Sequence, residues 1–391
     1  MANTETVKGT SLWKDAWKRL LKNKLAVFGL IVLAVMAVAV TIGPSIVYWT
    51  TGFTADGIPA DGDLIKSFPP SLQHPMGTDE AGRDLLARVL QGGRISLMVG
   101  IISTIVSLII GVSYGAIAGY LGGRIDNVMM RLVDIIYSIP YILLVVVLLN
   151  VFGGQNTSVL VGWLPQILSS ILLLIILTPA AVLIFRSMVD SLSGTVDGIL
   201  LLLIKFLYTI LALGIIAAVI YGGGSLLVLG NVGGYWAKLY SGSVNQGLSQ
   251  IFLLFFAIGL ISWLTMARVV RGQVLSLKNQ EFVLAARATG VSTLGIIFKH
   301  LVPNTLGPVI VYATLTVPSV MLSEAFLSFL GLGVQAPYAS WGSLAADGVK
   351  NIGIFPWQTI FPGVTMALTL FSLNFVGDGL RDALDPQTRK F

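Results

Sequence analysis

The sequence predicts an all-α, polytopic membrane protein of about eight spans, and three observations predict it. Charged residues make up 11% of 391, against roughly 25% in an ordinary soluble domain. Hydrophobic residues reach 55% and the mean hydropathy is +0.88. A soluble chain could not hide that surface in one core, because globular chains split into domains beyond ~250–300 residues. Apolar stretches close to the ~20 residues that cross a bilayer recur along the whole length. The 43 glycines suit helices that pack closely or bend in lipid.

Taken in order, residues 1–24 form a basic segment that ends in the run Lys14 to Lys24. Residues 25–49 are the first span. It is too long for a signal-peptide core and lacks a small-residue cleavage site behind it, so an uncleaved anchor is expected. Residues 50–94 form a polar loop with Pro69-Pro70 and His74-Pro75-Met76-Gly77-Thr78-Asp79. Residues 95–152 hold a second span, about Ile95 to Gly119, and a third, about Val133 to Phe152, with Pro140 inside it. The block 153–250 adds two apolar runs, Val159–Phe185 and Ile199–Tyr221, then a loop rich in Gly, Ser and Asn. Pro165 and Pro179 leave re-entrant or interfacial segments as the alternative reading of those runs. Residues 251–380 carry the last three spans, Ile251–Ala267, Leu306–Leu330 and about Pro356–Val376, and residues 381–391 form a tail.

Loop charge orients these spans. With the N-terminus cytoplasmic, 17 Lys and Arg fall on the cytoplasmic side and 6 on the other, with Lys205 inside a span. That is the asymmetry the positive-inside rule requires. Both termini are expected in the cytoplasm, whether the block at 153–250 spans twice or not at all.

Several chemistries are excluded. There are no cysteines, so disulfides, thiolate metal sites and cysteine nucleophiles are ruled out. Two histidines, His74 and His300, are too few for a zinc site, and His74 with Asp79 and Asp84 is a weak ligand set. The net charge of +6 reflects loop asymmetry, not nucleic-acid binding. No Gly-Lys dipeptide occurs, hence no P-loop. No Ser/His/Asp arrangement, HExxH motif or pair of intramembrane aspartates suggests a membrane enzyme, and no internal repeat suggests an ion-driven transporter.

One stretch carries the functional expectation. Glu281 to Ser292 reads Glu-Phe-Val-Leu-Ala-Ala-Arg-Ala-Thr-Gly-Val-Ser, and the chain continues through Pro303 and Asn304. The alanines favour a helix. Gly290 stands where a left-handed C-terminal cap is wanted, Ser292 can cap a second helix, and Pro303 is expected to end that helix. Small Ala285 and Ala286 leave room for another surface. Phe282 and Val283 beside Glu281 and Arg287 suit a helix lying in a partner's groove. An ordinary capped, solvated loop would share most of these features.

The stretch resembles the EAA loop of bacterial ABC-importer permeases. Ala285, Ala286, Gly290 and Pro303 fall on its spacing, while Leu284 stands in place of the glutamate and His300 in place of the usual isoleucine. Three further motifs, beginning at His74, Leu327 and Gly377, are similar to the second (C-type) permease of oligopeptide, dipeptide and nickel importers. The resemblance covers about 12–152 and 251–388. It implies a type I helical core of six spans, here with about two more, and a coupling loop at 270–304 seated in a cytoplasmic ATPase. In that loop Glu281, Ala285, Ala286, Arg287, Gly290, Ser292, Pro303 and Asn304 would be the coupling residues. It also implies a homologous second permease, one or two ATPase subunits, an extracytoplasmic substrate-binding protein, surrounding lipid and no cofactor.

Charges within spans are functional suspects. Glu324 could line the path or bond a neighbouring helix. Arg131 with Asp134, and Asp378 with Arg381, are spaced for local pairs. Lys205 is placed to reach the interface.

Overall fold

A computed structural model of the chain describes residues 12–58, 67–145, 246–336 and 338–384. The two extra spans expected within 153–250, and Lys205, lie outside the described residues. Helices α1 (Leu12–Leu20), α2 (Lys24–Thr51), α3 (Leu85–Leu121) and α4 (Gly123–Ser138) make up the first half. They are followed by α5 (Gln246–Leu277), α6 (Glu281–Ala288), α7 (Thr293–Phe329), α8 (Trp341–Val349) and α9 (Trp357–Leu384). Among the described residues the only extended pairing is a single bridge between Thr78 and Asp84. Helices α2, α3, α7, α9 and the 254–277 part of α5 are long and apolar enough to cross a membrane.

The chain forms two compact units. The described parts of 1–109, 258–266 and 298–391 make the first, and those of 110–257 and 267–297 make the second.

In the first unit α2 begins at a side-chain cap, where Asn23 Oδ1 accepts from the backbone N–H groups of Leu25 and Ala26 at 3.1 and 3.2 Å. Its exposed residues Leu25, Phe28, Ile31, Val35, Val38, Ile42 and Ile46 recur every three or four positions, which makes one continuous apolar face for lipid. The opposite side, with Ala26, Gly29, Val40 and Val47, is buried. Pro44 inside the helix has no N–H for the carbonyl of Val40, four residues back. Arg94 of α3 supplies the missing donor. Its Nε donates to Val40 O at 2.5 Å and its Nη2 to Thr41 O at 2.6 Å. Replacing Arg94 by leucine should therefore lower stability by about 1–3 kcal/mol, the cost of an orphaned buried carbonyl. A thermal midpoint in detergent unchanged from wild type would refute that role.

Helix α3 starts ten residues before the span expected from hydropathy. Arg88 and Arg94 broke the apolar window, yet both are accommodated by protein. Arg88 is 5% exposed and its Nε lies 3.4 Å from Asp79. Asp84 caps the helix, accepting from Ala87 N–H at 2.7 Å, while its other oxygen meets His74 Nδ1 at 2.9 Å. Asp79 turns to Arg83 and Arg88, so His74, Asp79 and Asp84 do not converge on one point.

The core of this unit is built round Trp341 and Glu324. Ser340 and Ser343 close a capping box at the start of α8. Trp341 is fully buried, its Nε1 donating to Val89 O at 2.8 Å and its backbone N–H to Ser96 Oγ at 3.0 Å. Gly93 leaves room for the indole, since a Cβ there would lie 2.6 Å from the ring. Glu324, 1% exposed, accepts from Ser328 Oγ at 2.6 Å and Ser340 Oγ at 2.7 Å on a single oxygen. That geometry ties α7 to the start of α8. Among the described residues, no ion pair joins Asp378 to Arg381.

In the second unit the expected third span does not run through Pro140. Helix α4 ends at Ser138, Ile139 is extended at φ −76° and ψ 130°, and a helix resumes over residues 141–145. The residue before a proline is pushed out of the α region, which ends the helix there.

Candidate functional site

The expected coupling stretch folds as a short helix, a tight turn and a second capped turn. Helix α6 runs from Glu281 in its first turn to Ala288 and buries Val283 and Ala286. After it the backbone N–H of Val291 donates to Ala286 O at 3.1 Å and that of Gly290 to Arg287 O at 3.1 Å. These paired bonds make a Schellman cap. The cap needs a left-handed residue at Gly290, whose φ is +77°, with nothing within 4 Å of a Cβ placed there. Ser292 then caps α7, its Oγ accepting from Gly295 N–H at 3.2 Å.

Both ends of the turn are thus fixed by backbone bonds. Phe282, Leu284 and Leu294 are 38%, 49% and 48% exposed on this segment. Glu281, Ala285 and Arg287 are exposed as well. The Arg287 guanidinium stands over the Tyr120 ring, 5.8 Å from its centroid, with Nη2 3.5 Å from the phenol oxygen. A charged rim around exposed apolar side chains on a rigid turn is a surface that can seat in a groove.

Pro303 does not end the second helix. Residues Ile296–Leu301 form a π-helical turn, and α-helix continues from Val302 with Pro303 in its first turn. A π-turn re-registers the backbone at the point where a proline lacks its N–H. Asn304 Nδ2 donates back to His300 O at 2.6 Å, across that turn. Glu281 to Ser292 therefore share the second unit, whereas Pro303, Asn304 and Glu324 belong to the first.

Beneath α6 the second unit holds contacts that sequence reading missed. Arg271 grips Asp126 with two bonds of 2.5 and 2.7 Å, Asp126 being buried. Asp134 pairs at 2.8 Å with Arg268, not with Arg131 one turn away. The Arg268 guanidinium also lies over the Tyr137 ring at 4.4 Å. Tyr114 Oη donates to Met129 O at 2.9 Å. The available signal was two arginines at i, i+3 in an otherwise apolar helix, Arg268 and Arg271, opposite two lone aspartates. Partner choice needs the fold.

Comparison with known proteins identifies the family. The family described as binding-protein-dependent transport system inner membrane component matches over residues 111–194 and 191–390. The N-terminal TM domain of oligopeptide transport permease C matches over 11–70. The oligopeptide transport system permease protein OppC of Haemophilus influenzae is 39% identical over 384 residues, covering 98% of this chain and 91% of the relative. OppC of Escherichia coli K12 is 38% identical, covering 98% and 94%. The dipeptide transport system permease protein DppC of Bacillus subtilis is 36% identical, covering 99% and 90%. With membrane-spanning helices and matches that extend over nearly the whole chain, the protein belongs to the binding-protein-dependent transport system inner membrane components, the permease subunits of ATP-binding-cassette importers.

Proposed function

We propose that this chain forms half of the membrane path of a peptide importer and receives its power stroke through the segment from Glu281 to Asn304. The observation that carries the reading is the doubly capped turn with Phe282, Leu284 and Leu294 exposed. Exposed apolar side chains on a charged, ordered segment are poorly solvated alone and suit a partner's cleft. The partner proposed is a separate P-loop ATPase, consistent with the lack of a Gly-Lys dipeptide in the chain. A homologous second permease would supply the other half of the path, and a substrate-binding protein would deliver cargo from outside. Peptide cargo is supported by the names of the relatives, oligopeptide and dipeptide permeases.

The bias of 17 basic residues to 6 supports cytoplasmic termini and a cytoplasmic α6. Glu324 was the candidate for path lining. Its burial with two serine donors supports helix packing instead.

Affinity purification of the chain in mild detergent from its host, with mass spectrometry of the companions, tests the assembly. A P-loop ATPase and a second permease are expected in the preparation. Reproducible recovery of the folded chain alone would overturn the reading and favour ion-driven transport.

A further inference from the structure

We propose that Asp126 and Asp134 of α4, gripped by Arg271 and Arg268 of α5, form a clamp that makes α4 move with the coupling segment. All four are positioning residues, and the proposal rests on the coupling role given above to α6.

The argument starts at the joint between α3 and α4. Gly122 and Gly123 both have positive φ, +64° and +58°, and nothing lies within 4 Å of a Cβ placed on Gly123. Two successive glycines in that region form a pliant joint. The chain connection through them leaves the direction of α4 under-determined, so its orientation must be set by contacts along its length.

Those contacts lead to the stretch of α5 that runs into α6. Arg271 holds buried Asp126, near the start of α4, with a bidentate grip of 2.5 and 2.7 Å. The planar fork fixes angle as well as distance. About two turns further along, Arg268 takes Asp134 at 2.8 Å and covers Tyr137. Two grips on one helix fix its direction, which one alone would not.

The end of α3 is fastened to the same stretch by other means. A Cβ on Gly119 would lie 2.9 Å from Arg271 O, and one on Gly115 would collide with Ala267 O. The two backbones are therefore in close contact. Lys278 Nζ donates to Gly119 O at 3.4 Å, and Arg287 of α6 stands over Tyr120. Displacement of α6 is thus delivered to the end of α3 by backbone packing. It reaches α4, beyond the glycine joint, through the two arginines and the Tyr114–Met129 bond.

The test exploits the absence of cysteine. Spin labels are placed at exposed positions by Ile135→Cys on α4 and Asn279→Cys just before α6. The purified assembly with its ATPase is then measured by pulsed electron resonance, without nucleotide and trapped with ATP and vanadate. In the otherwise unaltered chain the interlabel distance is expected to stay the same in both states. With Arg271→Gln the distribution should broaden on trapping. Uptake of radiolabelled trialanine per ATP hydrolysed should fall roughly tenfold, within the range reported for coupling mutations.

Loss of a buried partner can prevent assembly. In that event Arg268→Gln with Asp134→Asn removes the exposed pair, and the same two readouts decide. A distance that changes on trapping in the otherwise unaltered chain overturns the clamp, and so does a variant with an unchanged distance and unaltered uptake per ATP. A Gly290→Val control separates the two proposals. If it uncouples while the clamp variants behave as wild type, only the clamp fails. If it couples normally, the docking role of α6 fails.

Discussion

Replacing Gly290 by valine should leave the importer assembled and hydrolysing ATP while uptake per ATP falls by about tenfold or more, a loss of at least ~1.4 kcal/mol in coupling. The Schellman cap depends on φ +77° at this position. A β-branched residue there would cost roughly 1–2 kcal/mol in backbone strain. The strain is backbone strain alone, because nothing lies within 4 Å of a Cβ at position 290, and it is relieved by letting the turn open. Opening it releases the bond from Val291 to Ala286 and frees Ser292 from its place as a cap. Phe282, Leu284 and Leu294 would then no longer be held on one surface. Gly290→Asn should retain most coupling, since asparagine tolerates the left-handed region. Both variants are read by counting peptide taken up against phosphate released in proteoliposomes. Wild-type coupling in the valine variant would falsify the docking assignment.

Trp341→Ala should give the largest loss of stability, about 3–5 kcal/mol, because a fully buried indole is deleted. The ring fills the space that Gly93 leaves, and its Nε1 satisfies Val89 O within α3. Truncation leaves a void and removes the bond from Nε1 to Val89 O. Trp341→Phe keeps most of the apolar bulk and should cost clearly less. Thermal unfolding of the purified assembly, followed by light scattering, separates the two variants. A loss below about 1 kcal/mol for the alanine variant would mean that α8 is not anchored through its tryptophan.

What could be read from the sequence was what depends on local chemistry. Span α2 was legible because its apolar run is long and its N-terminal flank is basic, and the observed helix exceeds the expected span by one residue at the start and two at the end. Gly290 and Ser292 were legible because their roles in caps are set by residue type alone. The start of α3 was not, because hydropathy treats Arg88 and Arg94 as charges to be kept in water. Whether an arginine is met by protein depends on residues as distant as Asp79 and Val40. The helix through Pro303 was misread for a related reason. A proline signals a missing N–H, but not the π-turn that absorbs the loss. Arg268 illustrates the limit most clearly. Nearest-neighbour spacing gave Asp134 to Arg131, and the tertiary fold gives it to a residue 134 positions away.

The bond between Arg94 and the carbonyl freed by Pro44 also makes α2 depend on a residue translated after it. Arg94 lies 54 residues after Val40, so α2 leaves the ribosome well before its donor exists. Until α3 is in place the Val40 carbonyl lacks this partner, at a cost of about 1–3 kcal/mol. The charge that looks costly in α3 thus completes the backbone bonding of the helix made before it.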